Sequence, residues 1–588
     1  MTTDQNYQQI YRVGGMLDAG FVGQITYTIS LDQVYDALDI HFSFDKRLYS
    51  ESDVTPELID RLQTLCTAKY DAPTYPVEEF RQTILHEMKT EIHTMAELND
   101  NFIGCIHRQL TDRHMLYTKE FTSDGCLAQD TFSGVLKVTV LVFNVLLDNT
   151  QYTLTVSGHP VGQGVIAPNF NLMDTVKTAA GNTGASNDAG SADNSCEAES
   201  VPASAVATAG SSGVSGAGSA ATAGDSSTTG SSSAGNTVTA STRFKRLELH
   251  NHTVESDGSL TCQELTEYLA ADHVDAFAIT DHNTTSGQKK IEQLLEEKHY
   301  PISLIRGMEY TTYFGHILCL NLAKYVPWNS IDQHRPELLF EAAREKGALV
   351  GIAHPFSYGD PFARGCRFEM TISDYSKVDF IEIFNNPEPL HEVNERGTNL
   401  WMSLIFSGYQ ITATSGMDLH NRAKLAGCYA TYIEGKSGGN IASELDTAIH
   451  THRTWVSKGA LLLTEVLPET NELLLTFTDA HKPGFAVPKT AQVVLKGKDK
   501  TFTTSVSLDK PVRVSLNQLS GTDPIIPLLY EAPGINGAAT VSNAAHVAAS
   551  TSCGSAADAS SAAGQLKGID ALPAIEGLLC VSPVLYRD

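Results

Sequence analysis

The chain is poor in positive charge, in paired cysteines and in long apolar runs. Lys+Arg number 41 against 68 Asp+Glu, which leaves −27 over 588 residues. A chain this acidic has no general attraction for a nucleic-acid backbone or an anionic membrane, so a phosphorylated ligand would have to be drawn by a local site. The ten cysteines stand singly, with no C-x-x-C pair, which fits reduced thiols in a cytoplasm better than a disulfide framework. The longest apolar stretch, Val135 to Leu147, is interrupted by Lys137 and Asn144 and is too short to span a bilayer. The opening MTTDQNYQQIYRVGG lacks a basic segment followed by an apolar one, so no signal peptide is expected. None of the ten cysteines sits in a recognisable catalytic pattern, which gives a cysteine nucleophile little support. These absences predict a soluble cytoplasmic protein with no membrane partner.

Two stretches fall to Ala, Gly, Ser and Thr: a linker over 171–243 and an insertion over 536–567. Such composition cannot bury enough apolar surface to offset its ordering entropy, so both are expected to be disordered. They divide the rest into three blocks. In 1–170, apolar residues alternate (Ile25, Tyr27, Ile29; Leu38, Ile40, Phe42, Phe44; Val138, Val140, Val142), which predicts a β-rich sandwich. A capped helix after Thr55 and a second from Val77 to Leu98 are expected as its helical insertion. In 244–457, short apolar strands alternate with amphipathic helices, one opened by a Thr261–Glu264 capping box, so a parallel sheet, closed or open, is expected. Alternation returns in 458–588 (Leu473, Leu475, Phe477), predicting a C-terminal β-domain.

Histidine is concentrated in the middle block, with 12 of the 20. His250 and His252 end its first strand and Asp257 follows in a turn. Asp281 and His282 end the second strand and Glu309 the third. His316 opens the next segment, His354 ends another, and Asp418 and His420 end the last. H-x-H and D-x-H spacings put both side chains on one face of a strand, because side chains alternate. Ligand groups from separate strand ends would then converge on one mouth, and imidazole with carboxylate suits Zn, Mn or Fe. So many groups exceed the needs of one ion, which implies a cluster.

The segments HNHTVESDG, AITDHN, GMEYTTYFGHILCL, GIAHPF and SGMDLH resemble the five-part signature of the PHP (polymerase and histidinol phosphatase) superfamily of metal-dependent phosphoesterases, over about 246–434. G-x-E-x-T-T-x-x-G-H and HRTWVS look most like the CehA/McbA (carbaryl-hydrolase-like) branch. The resemblance implies an α/β fold: a distorted (β/α)7 barrel flanked by β-sandwich domains, with three divalent ions. His250, His252, Glu309 and Asp418 would hold the first. Glu309 would bridge to a second on His316 and His354. Asp257, His282 and His420 would hold the third. SGMDLH departs from the branch's usual G-S-D-x-H while keeping both ligands. Glu382 stands where an acidic group is usual, as a ligand or as support for one.

The expected function is metal-dependent hydrolysis. A water acidified by two cations would attack phosphorus in line on a small phosphorylated metabolite or nucleotide. Arg306, Arg364 and Arg396 are candidate phosphate clamps, and Asp281 or His354 candidate proton donors to the leaving oxygen. Asp281 is equally suited to orienting a ligand histidine. The alternatives are an ester, carbamate or amide hydrolase with the same centre, and a non-catalytic metal-binding interaction protein.

Overall fold

The structure, a computed structural model, describes residues 7–162, 243–532 and 575–586, apart from 71–73, 109, 149, 332–333, 386–391, 437, 483, 520 and 522. The expected linker, except Arg243, and the expected insertion at 536–567 lie outside the described residues. Helix and sheet are mixed, with sheet predominating, and among the described residues no helix is long and apolar enough to cross a membrane.

The first block holds β1 (Gln8–Leu17), β2 (Gly23–Phe44), helices α1 (Pro56–Tyr70) and α2 (Val77–Glu87), then β3 (Glu91–Leu98), β4 (Asn101–Ile106), β5 (Asp112–Tyr117), β6 (Phe132–Asn144) and β7 (Thr150–Pro160). Instead of two separate sheets they make one, in the order β1-β7-β2-β6-β3-β4, with β5 also on β2. The reason is β2, 22 residues long, whose register shifts between Leu31 and Tyr35. Its first half pairs with β6 and its second with β7 and β5, since such an irregularity bends a strand. The helix expected over Val77–Leu98 stops at Glu87, and its second half is β3. Only Glu97 of β3 is not buried, so neither face is open to solvent, and Thr94–Met95–Ala96 breaks the period-two alternation in sequence.

In the middle block come β8 (Arg243–Glu248), α3 (Cys262–Ala271), β9 (Ala276–Ile279), α4 (Ser286–Lys298), β10 (Ser303–Thr312), β11 (Gly315–Leu320), α5 (Glu337–Arg344), β12 (Leu349–Ile352), β13 (Phe380–Phe384), α6 (Glu392–Phe406), β14 (Thr412–Ser415), β15 (Ala430–Gly435), α7 (Ile441–His450) and β16 (Thr454–Ser457). The Thr261–Glu264 capping box opens α3 with both reciprocal bonds made. Strands β8, β9 and β10 are parallel, β11 runs against both its neighbours, and β12, β13 and β14 are parallel. Beyond their formal ends, the segments after β8 and β14 pair again in parallel at Asn251 and Leu419.

The last block adds β17 (Ala460–Leu467), β18 (Glu472–Asp479), β19 (Thr490–Lys496), β20 (Thr501–Ser507), β21 (Val512–Ser515), β22 (Ile526–Glu531) and β23 (Leu578–Val581). It does not begin with a new sheet at residue 458. Through β16 pairing with β23, the middle block's sheet continues into β22, β19 and β20, while β17, β18 and β21 form a three-stranded sheet.

The N-terminal sheet and the middle block share one hydrophobic core. Met95, Cys105, Leu141 and Phe143 from the first pack with Met308, Tyr310, Tyr313 and Trp328 from the second. Tyr313 Oη donates to the Gly23 carbonyl at 2.8 Å, and Tyr70 Oη to the Asp360 carbonyl at 2.5 Å.

Candidate metal centre

The strand ends are laced together past the ladder, and this brings the polar residues to one level. Asn251 N–H donates to Thr280 Oγ1 at 2.9 Å, and Thr280 N–H donates back to the Asn251 carbonyl at 3.0 Å. Glu309 N–H donates to the Thr280 carbonyl, Asn283 N–H to the Glu309 carbonyl, and His252 N–H to the Leu419 carbonyl. His250, His252, His282, Glu309, Asp418 and their neighbours therefore end on one side of the sheet, as their two-residue spacing requires.

Glu309 is at the centre and wholly buried. Its Oε1 lies 2.8 Å from His316 Nδ1 and 3.1 Å from His354 Nε2. Its Oε2 lies 3.1 Å from His250 Nε2, 3.3 Å from His252 Nε2 and 3.0 Å from His282 Nδ1. Burial alone would raise the Glu309 carboxyl, but the positive imidazoles of His250, His316 and His282 outweigh it and hold the group well below the ordinary range. Asp418 Oδ1 sits 2.9 Å from His252 Nε2 and 3.3 Å from His250 Nε2. Asp257 Oδ1 sits 3.3 Å from His420 Nε2 and 3.6 Å from His282 Nε2.

Three groups here have ligand atoms within 4.8 Å of one another: His250, His252, Glu309 and Asp418; His252, Asp257, His282 and His420; His282, Glu309 and His316. Buried atoms in them have no hydrogen-bond partner: His250 Nε2, both nitrogens of His252, Asp257 Oδ1, Glu309 Oε2, His316 Nε2 and Asp418 Oδ1, and outside the three groups His354 Nδ1 has none either. Leaving so many polar atoms unpaired would be costly, and divalent ions would satisfy that donor set. The residues present fit such ions.

Glu382 has an assignable place. It accepts from His250 Nδ1 at 3.1 Å, from the His354 N–H at 3.1 Å and from Asn385 Nδ2 at 2.8 Å, so it fixes the His250 ring with Nε2 facing the cup. Gly416 lets these groups meet, because a Cβ there would stand 2.5 Å from His250 Cβ and 2.6 Å from Glu382 Oε1. That contact is why the segment SGMDLH keeps a glycine. His420 Nδ1 donates to the Asp418 carbonyl at 2.9 Å, which turns Nε2 toward Asp257.

Asp281 contacts neither a ligand imidazole nor the cup opening among its described bonds. It accepts from Thr253 N–H (2.7 Å), Thr253 Oγ1 (2.9 Å) and Ser256 Oγ (2.7 Å), and so pins the turn carrying Asp257. Burial raises its carboxyl to about 6. The expected proton-donor and histidine-orienting roles give way to this one. His354 is placed in the cup, against Glu309. Arg306 is not: it is exposed on the outer face of β10, its Nε bonded to Glu292 at 2.5 Å. A guanidinium on the face that packs against α4 cannot reach the mouth. Arg364 is half-buried, bonded to Asp360 at 2.9 Å in the loop after His354. Arg396 lies on α6, near enough to Arg367 to lower that group's pKa further than burial does alone. Arg367 itself, which the sequence did not single out, stacks 5.3 Å over Phe356 and 5.1 Å over Tyr70.

The N-terminal sheet reaches the cup as well. His107 stacks on His282 with ring centroids 4.2 Å apart, its Nε2 3.5 Å from Asp257 Oδ2. Gly125 N–H donates to Glu255 Oε2 at 3.1 Å, and Thr284 Oγ1 donates to the Gly125 carbonyl at 2.9 Å. Under this cover His250, His252 and Glu309 have no exposed side-chain surface, whereas Asp257, Asp418 and His420 keep 14%, 18% and 19% and mark the opening.

Comparison with known proteins gives partial likenesses. Residues 7–160 match a family of unknown function (DUF6669). A 112-residue stretch, 19% of the chain, is 30% identical to 58% of an uncharacterized protein of Methanocaldococcus jannaschii. A 141-residue stretch, 23% of the chain, is 36% identical to half of a 5'-3' exoribonuclease of Haemophilus influenzae. The chain thus spans about half the length of the curated relatives it matches. Among solved structures, it is similar to a two-domain protein of Bacteroides vulgatus containing a predicted PHP-like metal-dependent phosphoesterase: 15% identity, 49% of this chain, 90% of that one, TM-score 0.29.

Proposed function

We propose that this chain is a metal-dependent hydrolase of the PHP superfamily, near its CehA/McbA branch, that cleaves phosphoesters of small molecules. The observation that carries the reading is the buried cup, where imidazoles and carboxylates from separate strand ends crowd together with their ligating atoms unpaired. The run β8 to β14, rejoined at Asn251 and Leu419, supports a distorted seven-stranded barrel with the cup at its mouth. The flanking sheets are read as domains shaping that mouth. Free thiols at Cys66, Cys105, Cys126, Cys262, Cys319, Cys366 and Cys580 support a reducing, cytoplasmic compartment.

On this reading three ions would be bound: His250, His252, Glu309 and Asp418 would hold one; Glu309, His316 and His354 a second; Asp257, His282 and His420 a third. Such ions bring a bound water's pKa toward neutrality and neutralise charge on phosphoryl oxygens. The chain's part is to aim the donors. Glu382 sets the His250 tautomer, the Asp418 carbonyl sets that of His420, and Asp281 fixes the turn that presents Asp257. Among the described residues, cover by the N-terminal sheet leaves the Asp257–Asp418–His420 side open, which suits a small substrate or a chain end. A phosphoester is favoured over a carbonyl ester by the likeness to a 5'-3' exoribonuclease, whose substrates are phosphodiesters.

The test is a panel of phosphomonoesters, phosphodiesters including a short 5'-phosphorylated oligonucleotide, aryl esters and carbamates, run on manganese-loaded protein beside Asp418→Ala. Phosphate or nucleotide release lost in the variant is expected. Alcohol release from carbonyl substrates alone replaces this reading with an ester or carbamate hydrolase. No turnover with metal bound leaves a binding role.

A further inference from the structure

A second constellation lies outside the cup, in the N-terminal sheet. Glu91 and His93 are two residues apart on β3, hence on one face. His107 directly follows β4, and Thr94 pairs with Ile106 across the ladder, so the two histidines are neighbours. Their ring centroids are 3.9 Å apart, and His93 Nε2 lies 3.1 Å from Glu91 Oε1. One ligand atom from each of Glu91, His93 and His107 falls within 4.8 Å of the other two. All three residues are buried, His93 completely.

Ordinary core packing does not account for these imidazoles. His159, wholly buried in the same sheet, has its Nδ1 on Asp36 at 2.6 Å, and His114 has its Nδ1 on Asp39 at 2.9 Å. By contrast Nδ1 of His93 and Nδ1 of His107 have no hydrogen-bond partner although buried. An unmade hydrogen bond on a buried ring nitrogen is costly, and here it recurs on two adjoining rings. Arg113 opposes a cation there, but its guanidinium lies against Phe42 and Phe44, at 5.1 and 5.6 Å from the rings. The carboxylate of Glu91 offsets it.

We propose that Glu91, His93 and His107 form a further divalent-cation site, separate from the cup and seated in the N-terminal sheet. Two imidazoles and one carboxylate suit zinc or a neighbouring first-row transition ion, with water completing the shell. The site would fix the His107 ring, which stacks on His282 and faces Asp257, and so would couple the N-terminal sheet to the mouth of the cup.

The experiment is zinc titration of the chelator-stripped full chain, counting bound ions per chain. Wild type is expected to bind one equivalent more than Glu91→Gln and His93→Gln. Asp418→Ala is expected to lose ions of the cup while retaining this one, so failure of the cup reading shows separately, as no change in that variant. Equal stoichiometry in wild type, Glu91→Gln and His93→Gln overturns the proposal. Loss confined to His107→Gln also overturns it, because His107 would then serve the cup. Zinc-edge anomalous diffraction from wild-type crystals guards against misfolded variants. A peak bonded to all three side chains is expected, and peaks confined to the cup overturn the site.

Discussion

Among the described residues Glu382 bonds to His250, the backbone of His354 and Asn385, and the ring it holds is one that faces Glu309 and Asp418. Glu382→Gln keeps the shape and removes the charge. Loss of such an orienting partner weakens metal affinity by roughly 10–100-fold. A competition titration with a metal indicator checks this, with circular dichroism expected to be unchanged. Gly416→Ala acts at the same place by crowding, since the added methyl meets His250 Cβ. Overpacking of this kind costs about 1–3 kcal/mol, readable as a lower urea midpoint. A third single-residue effect concerns acid. Asp53 accepts from Lys46 Nζ and Ser50 N–H, both at 2.7 Å, and these bonds lower its carboxyl to about 2. Its folded pKa lies below its unfolded value, so the stabilisation is present above pH 4 and lost as pH falls toward 2. Asp53→Asn is expected to be less stable than wild type at pH 7 and equal to it near pH 2 in thermal melts. Most residues of the cup were legible in the sequence because each is a polar break at the end of an apolar strand, whereas Asp257, in a turn, and His316, opening β11, became legible through the resemblance. The role of Glu382 was not, because a carboxylate at a strand end reads the same whether it faces an ion or a histidine.

At the scale of elements, β3 shows why part of the chemistry stayed hidden. Read as the continuation of a helix from Val77, its Glu91 and His93 fall on different faces and suggest nothing. As a strand, the same spacing puts them side by side. The signal existed, an E-x-H of the kind that made H-x-H and D-x-H informative, but a strand buried on both faces carries no alternation to announce itself. Arg306 failed for a related reason: which face of β10 it occupies depends on where α4 packs, and its partner Glu292 belongs to that helix. The sheets of the two flanks were legible as strands but not as sheets, because the bend in β2 and the pairing of β16 with β23 are long-range choices. Phe143, at the end of β6, offers a test of how these elements join. It packs on Tyr313 and Trp328 of the middle block, with ring centroids 4.7 and 6.5 Å away. Phe143→Ala leaves a cavity there and is expected to cost about 3–5 kcal/mol in urea unfolding.

For the whole molecule, the shared core implies that the first and middle blocks behave as one body even though the chain between them is long. A protease site introduced near residue 200 and cut in the folded protein should leave two fragments, before and after the cut, that co-elute in gel filtration. Separate elution would mean that the Met95–Phe143 face does not hold by itself. Phe143→Ala in the cut protein is expected to shift that balance toward separation.

The cover over the cup also bears on time. His250, His252 and Glu309 are sealed beneath the N-terminal sheet, and of the four side chains proposed for the inner ion Asp418 is the one that reaches the opening. An ion there would enter and leave past Asp418, so the pace of exchange would follow how readily that carboxylate lets go. A change in metal supply would then reach the inner position through a single ligand.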